Sequence, residues 1–365
     1  MNNQSTQIKK KILILHTSVG LGHKSMAENI AWHLQNAGLE VRLADIGQVQ
    51  RGRFEKVVVS VHQFINLHLP FVWAWLYAWG HYVIYPFRVF IARFNSTALK
   101  KLILEYQPDL IISDHTTSSA VVTYLRRVRV YTKQFGIAFS DYHLHPYWLY
   151  KGADFYLANI IEQKTEMVRR GILADKIFVC GMTLKPKLTV DINAVKQKLN
   201  IGPQDKVILV GSGSLGTGFK EGLLDTLSKI ADTKVLVVCG KNEEYKKYLE
   251  RKFVNTNILP LGYYSPMGEL YAVADAFFTK PGGLTVAESL QYNLPIIVTH
   301  ILPGQEQLNL DYLLAKGLVV QVAGSVVEQI AQVGERKNNL RSNPNVQPII
   351  NPATNVKTAV LGFLV

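Results

Sequence analysis

Residues 277–309 read FFTKPGGLTVAESLQYNLPIIVTHILPGQEQLN, and the fold turns on how this stretch is parsed. An apolar run ending at Phe278 meets a tight Pro281-Gly282-Gly283 turn, and a helical pattern from Leu284 to Tyr292 follows at once. Glycines after a strand let backbone approach a ligand closely, and a helix start offers unpaired N–H groups and the positive end of the dipole. That combination suits a diphosphate. Glu288 falls in the second helical turn, where a carboxylate can accept from the vicinal hydroxyls of a ribose. A second apolar run, Leu294 to Val298, leads to His300 and to Pro303-Gly304-Gln305-Glu306. The unit is strand–turn–helix–strand–loop, shaped for a sugar nucleotide.

Working outward, 365 residues exceed what one compact core usually serves, so two domains are expected. The only cysteines, Cys180 and Cys239, sit in or beside apolar runs and read as buried thiols, unable to build a metal site. The net charge of +13 is uneven: residues 1–180 hold 21 basic against 12 acidic side chains. A basic first half calls for an anionic partner. The start of the chain runs straight into the strand-like Ile12-Leu13-Ile14-Leu15 without the apolar core of a secretory signal, which predicts a cytosolic protein.

The run 11–16 is a buried parallel strand by pattern, followed by Gly20-Leu21-Gly22-His23 and a helix closed by Gly38. The loop lacks G-x-G-x-x-G spacing, so it is no dinucleotide fingerprint. His23 on it is aimed at the crevice where α/β sheets bind ligands. Further strands at 110–112 and 135–139 end in Ser113-Asp114-His115 and Ser140-Asp141, with His145 and Trp148 behind. Asp141 is a candidate base or partner of a histidine; capping a helix is its plainer role.

Residues 54–94 stand apart. No charged residue occurs between Lys56 and Arg88, yet Trp73, Trp75 and Trp79 crowd one part and basic residues flank both ends. Aromatic residues favour the membrane interface and flanking cations attract anionic headgroups, so an in-plane membrane-binding surface is expected. A buried helical hairpin and a true span are the alternatives; polar residues and Pro70 and Pro86 divide the run against a span. The cations flank an uncharged aromatic run and form no stripe on one helix, which argues against nucleic acid.

A second strand-and-helix series begins at Lys206, with a glycine loop, 211–218, that contains Gly213 and lacks a Walker A ending. Two such series imply two doubly wound α/β domains facing across a cleft.

The motifs Gly20-Leu21-Gly22-His23-Lys24, Asp141 with His145 and Trp148, Leu261-Gly262-Tyr263, Lys280-Pro281-Gly282-Gly283-Leu284-Thr285 with Glu288, and Pro303-Gly304-Gln305-Glu306 with Asn309 carry a resemblance. The chain resembles the diacylglycerol glycosyltransferases of glycosyltransferase family 28, bacterial processive glucosyltransferases and plant monogalactosyldiacylglycerol synthases among them. The resemblance implies a GT-B fold, with a lipid-acceptor domain at 1–186, a UDP-sugar domain at 187–340 and a tail at 341–365 that returns to the first. It implies an inverting transfer with no bound metal or cofactor beyond the donor. On the matched positions Glu288 would hold the ribose, and Gly282, Gly283, Leu284 and Thr285 the diphosphate, with Gly213 on the donor side. Gln305 and Glu306 would hold the hexose, and Tyr263 the uracil. His23 or Asp141 would take the acceptor proton, while Gly22, His145, Trp73, Trp75 and Trp79 would serve the acceptor and membrane. Two departures stand out: Leu21 separates glycines that galactosyl members keep contiguous, and 335–352 is rich in Asn and Pro where the family runs a long helix. The expectation is a peripheral enzyme on the cytoplasmic face of the cell membrane, moving glucose or galactose from a UDP-hexose to diacylglycerol, with an anionic membrane surface as partner and no nucleic acid. The rivals are transfer to another lipid-linked acceptor, such as a peptidoglycan precursor, and a non-catalytic UDP-sugar or lipid sensor.

Overall fold

The computed structural model describes residues 9–17, 21–49, 69, 72, 75, 87–211, 221–301, 304–322 and 324–364. The chain forms two compact units, Met1–Lys185 together with Asn351–Val365, and Pro186–Ile350. Residues 341–350, read from the sequence as part of a tail, close the second unit through the end of helix Val333–Ser342 and the helix Gln347–Ile350.

In the first unit β1 (Lys11–His16), β2 (Glu40–Asp45), β3 (Leu110–Ser113), β4 (Gln134–Ala138), β5 (Phe155–Ala158) and β6 (Ile177–Val179) make a parallel sheet in the order β2-β1-β3-β4-β5-β6. Ile12 to Leu15 and Leu110 to Ile112 are wholly buried, as continuous apolar runs in a two-sided parallel sheet must be. The helix Leu21–Gln35 buries Met26, Ala27, Ile30, Ala31 and Leu34, the spacing of one helical face. It ends ahead of Gly38, whose φ of +85° belongs to the left-handed region that closes helices. The chain steps from β1 to β2 and returns to the far side of β1 for β3. The strand order therefore reverses between β1 and β3, where open α/β sheets gather their ligands.

The second unit repeats the plan with β7 (Lys206–Gly211), β8 (Thr233–Val238), β9 (Ile258–Leu261), β10 (Ala276–Thr279), β11 (Ile296–Val298) and β12 (Val320–Gln321), in the order β12-β11-β10-β7-β8-β9. Its reversal falls between β7 and β10. Two of these strands are invisible to pattern reading. β9 contains Pro260, which is tolerated because β9 is the edge strand, and β12 is two residues long. The Asn- and Pro-rich end forms short helices, among them Val356–Leu361 with Asn355 as its cap, which lies against the helix Leu21–Gln35.

One packing detail closes the first sheet. Gly136 of β4 stands in register with Phe155 of β5, and a Cβ on Gly136 would lie 2.2 Å from the Phe155 ring. The Phe363 ring stacks on Phe155 at 4.4 Å and meets Phe178 of β6 edge-on at 5.6 Å.

Candidate functional site

In the first unit, the helix that follows β1 carries His23 in its first turn, and β3 delivers Asp114 beside it at the strand reversal. The Nδ1 of His23 lies 3.8 Å from Oδ2 of Asp114, just beyond hydrogen-bond reach. Asp114 is wholly buried, and neither its carboxylate oxygens nor His23 Nδ1 has a hydrogen-bond partner among the described residues. Trp148 stacks on the His23 ring at 5.6 Å, and His115 meets it edge-on at 5.4 Å. Burial holds the His23 imidazole below its ordinary pKa, against an opposing pull from the negative charge of Asp141. Burial, and then the charge of Asp45, pushes the Asp114 carboxyl well above the usual range. His23 is therefore neutral at neutral pH, the state a base requires.

Asp141 follows β4, buried, and its backbone carbonyl accepts from the side chains of Asn159 and Gln163. These bonds fix the loop that aims it. His145 is buried and stacks on Tyr147, and its Nδ1 accepts from the Tyr147 N–H at 3.3 Å. Gly22 has open space where a Cβ would stand. Sequence reading treated Asp114 as one more polar strand end; only the strand order turns that position into contact with His23.

Asp114 carries a prediction of its own. A carboxyl whose folded pKa exceeds its unfolded value contributes fully below the unfolded pKa of about 3.9, and loses that contribution as pH rises through the folded pKa. Asp114→Asn should therefore melt above the wild type at pH 8, with the gap shrinking steadily towards pH 4. A gap independent of pH in a melting series would show that the carboxyl is not buried as an acid.

In the second unit the Pro281-Gly282-Gly283 turn follows β10, at that sheet's reversal. The helix Gly283–Gln291 begins there with Gly282 as its N-cap, a residue with no side chain of its own to place over the first turn. Its Glu288 accepts from the Tyr271 hydroxyl at 3.4 Å. The Gln305–Ala315 helix starts after Gly304, whose φ of +99° only glycine adopts readily. That helix is tied to the turn twice: Glu306 pairs with Lys280 at 2.8 Å, and the buried Asn309 side chain donates to the Pro281 carbonyl at 3.3 Å. Thus Gly282, Gly283, Leu284, Thr285 and Glu288 are brought together with Gln305 and Glu306. Lys280 and Asn309, not picked out from the sequence as binding residues, are the ties. Tyr263 is not joined to them by any such tie; it stands exposed after the edge strand β9.

Gly213, Trp73 and Trp79 lie outside the described residues, as does most of the aromatic run. Of that run Leu69, Val72 and Trp75 are described and exposed. Among the described residues no helix is long and apolar enough to cross a membrane. Cys180 and Cys239 are buried, and burial pushes both thiols up to about 12.

Known proteins match both units. Residues 23–184 fit the family model for monogalactosyldiacylglycerol synthase, and residues 207–339 that for the glycosyltransferase family 28 C-terminal domain. A processive diacylglycerol β-glucosyltransferase of Staphylococcus aureus is 31% identical over 84% of this chain and 80% of its own. Among solved structures, the calicheamicin glycosyltransferase CalG4 superposes with a TM-score of 0.63 at 12% identity, covering 98% of each chain. MurG of Acinetobacter baumannii reaches 0.56 at 14% identity, over 97% of this chain and 98% of its own. At such identities these two speak for the fold alone, which is GT-B.

Proposed function

Because the chain belongs to the diacylglycerol glycosyltransferases of glycosyltransferase family 28, we propose that it transfers a hexose, glucose or galactose, from a UDP-sugar to the hydroxyl of diacylglycerol at a membrane surface. The observation that carries this reading is the geometry at the two strand reversals: a largely enclosed histidine beside a buried carboxyl at one, and a glycine-capped helix N-terminus with a carboxylate in its second turn at the other.

In the reaction proposed, His23 takes the proton of the acceptor hydroxyl, and the freed oxygen attacks the anomeric carbon opposite the UDP. Protonation of the ring creates an imidazolium 3.8 Å from the Asp114 carboxyl, a positive charge that favours ionisation of that carboxyl. The negative charge that builds on the departing UDP meets the first-turn N–H groups of helix Gly283–Gln291 and its dipole. Glu288 accepts from the ribose hydroxyls, Gln305 and Glu306 from the hexose hydroxyls, and Tyr263 lies on the uracil. The Lys280 pair holds Glu306 in the orientation this needs. The helix dipole supplies the positive field at the leaving group, so the proposed chemistry runs without a metal.

The test is direct. Incubated with diacylglycerol vesicles and radiolabelled UDP-glucose or UDP-galactose, the protein should yield labelled glycolipid; no labelled lipid with either donor ends the proposal. Gly282→Ala tests the cradle separately. The nearest atom to a Cβ there is Thr285 Oγ1 at 3.8 Å, an ordinary van der Waals contact, so the methyl group fits without a clash. The loss of a glycine N-cap should cost about 1 kcal/mol or less. UDP affinity in calorimetry should nonetheless fall at least about tenfold, because the methyl occupies the approach of a phosphate oxygen to the N–H groups. Unchanged affinity would remove the diphosphate from this turn.

A further inference from the structure

Beside Glu288 stand two tyrosines that the proposed reaction does not use. Tyr271 belongs to the helix Met267–Val273 and is buried in the core cluster that holds Leu209, Leu236 and Phe277. The rings of Phe277 and Tyr292 lie 5.7 and 5.8 Å from it, each tilted by 51°. Tyr292 is fixed in turn, because its hydroxyl accepts from the Leu188 N–H at 3.1 Å. Gly268 shares a helix with Tyr271, and a Cβ on it would lie 2.5 Å from that same hydroxyl oxygen. The glycine lets the helix close on Tyr292.

The core, and not a loop, therefore sets the place of the Tyr271 hydroxyl. From there it donates to Oε2 of Glu288 at 3.4 Å, across two helices. Burial, and then the charge of Glu288, push this hydroxyl well above its ordinary pKa, so it carries its proton at neutral pH.

Glu288 itself is half-buried, on a side chain with several free torsions. Ordering such a side chain during binding costs affinity, and a bond that orders it beforehand removes that cost. A carboxylate offers about four lone-pair positions, so one donor from the protein leaves capacity for two hydroxyls. The Tyr271 hydroxyl has the reach, the proton and the fixed seat that this task requires.

We infer that Tyr271 is a positioning residue for the donor: it orients the Glu288 carboxylate towards the ribose, and so lets the site tell a ribonucleotide from a deoxyribonucleotide. The inference rests on the reading that Glu288 accepts from the ribose hydroxyls, and it adds how that carboxylate is aimed.

The test compares the binding of UDP and of deoxyuridine diphosphate to the full chain by calorimetry. A hydrogen bond to a charged group contributes about tenfold to a hundredfold in affinity, so the wild type should prefer UDP by that factor. Tyr271→Phe keeps the ring in the core and removes one oxygen; the melting temperature reports its fold. The preference should shrink by about twofold to tenfold, the effect of leaving one side chain to be ordered on binding. The change should fall on UDP, with the deoxynucleotide bound nearly as before. A hydroxyl that served only the core would weaken both nucleotides alike, and an unchanged preference overturns the inference. In Glu288→Ala the preference should approach unity, and adding Tyr271→Phe should cost nothing further. Additive losses in that cycle would overturn the inference as well. The two failures stay distinct. A preference lost in Glu288→Ala but kept in Tyr271→Phe removes only the role of Tyr271. A preference kept in Glu288→Ala, or absent from the wild type, takes the ribose from Glu288 and the inference with it.

Discussion

Replacing His23 with alanine should lower the turnover of hexose transfer by roughly a hundredfold to ten-thousandfold, the range over which a positioned general base contributes. The ring is held between Trp148 and His115 at the mouth of the first sheet's crevice, so its removal leaves the core of that sheet intact. UDP affinity should be unchanged, because the residues proposed to hold the donor belong to the other unit. The pH profile sharpens the test. Burial sets the imidazole below its ordinary 6.5, so the acid limb of kcat/KM should fall below pH 6.5, and it should vanish in the variant. A loss smaller than about tenfold, with the acid limb retained, would pass the base to Asp141, whose carboxylate already acts on the same ring.

The second large effect is on stability. Gly136→Ala places a methyl group 2.2 Å from the Phe155 ring, a distance no packing permits, so the ring or the strand must move. Phe155 has no free direction, being wholly buried and stacked under Phe363. Overpacking of this kind costs typically 1–3 kcal/mol, and a clamped ring belongs at the upper end, about 3 kcal/mol. For a unit of this size that lowers the melting temperature by roughly 6–12 °C. Only the first unit's transition should shift in calorimetry. Phe155→Leu in the Gly136→Ala background should restore part of the loss, a coupling that a double-mutant cycle reads directly. Additive effects in that cycle would show that the ring is not the obstacle.

Most of the architecture was readable because parallel strands buried on both faces must be continuously apolar. Ile12 to Leu15, Leu110 to Ile112 and Val207 to Val210 are such runs and form β1, β3 and β7. β9 was not, since Pro260 argues against a strand unless one knows that the strand lies at an edge. The site divides along the same line. The turn at Gly282, the helix behind it and Glu288 are adjacent in sequence, so their grouping could be read locally. The partnership of His23 with Asp114 spans 91 positions and depends on β3 returning to the far side of β1, which no local pattern encodes. Lys280 and Glu306 likewise belong to two motifs that reading along the chain treated as separate.

The stack of Phe363 on Phe155 bears on the order in which the protein can be born. Residues 351–364 complete the first unit but follow the whole of the second in the chain. Domains usually fold in the order of their synthesis. Here the unit that begins first on the ribosome is the last to be finished. Its sheet must wait, with Phe155 uncovered, until the stretch beyond Ile350 has emerged. The second unit, made from one continuous stretch, is free to fold before it.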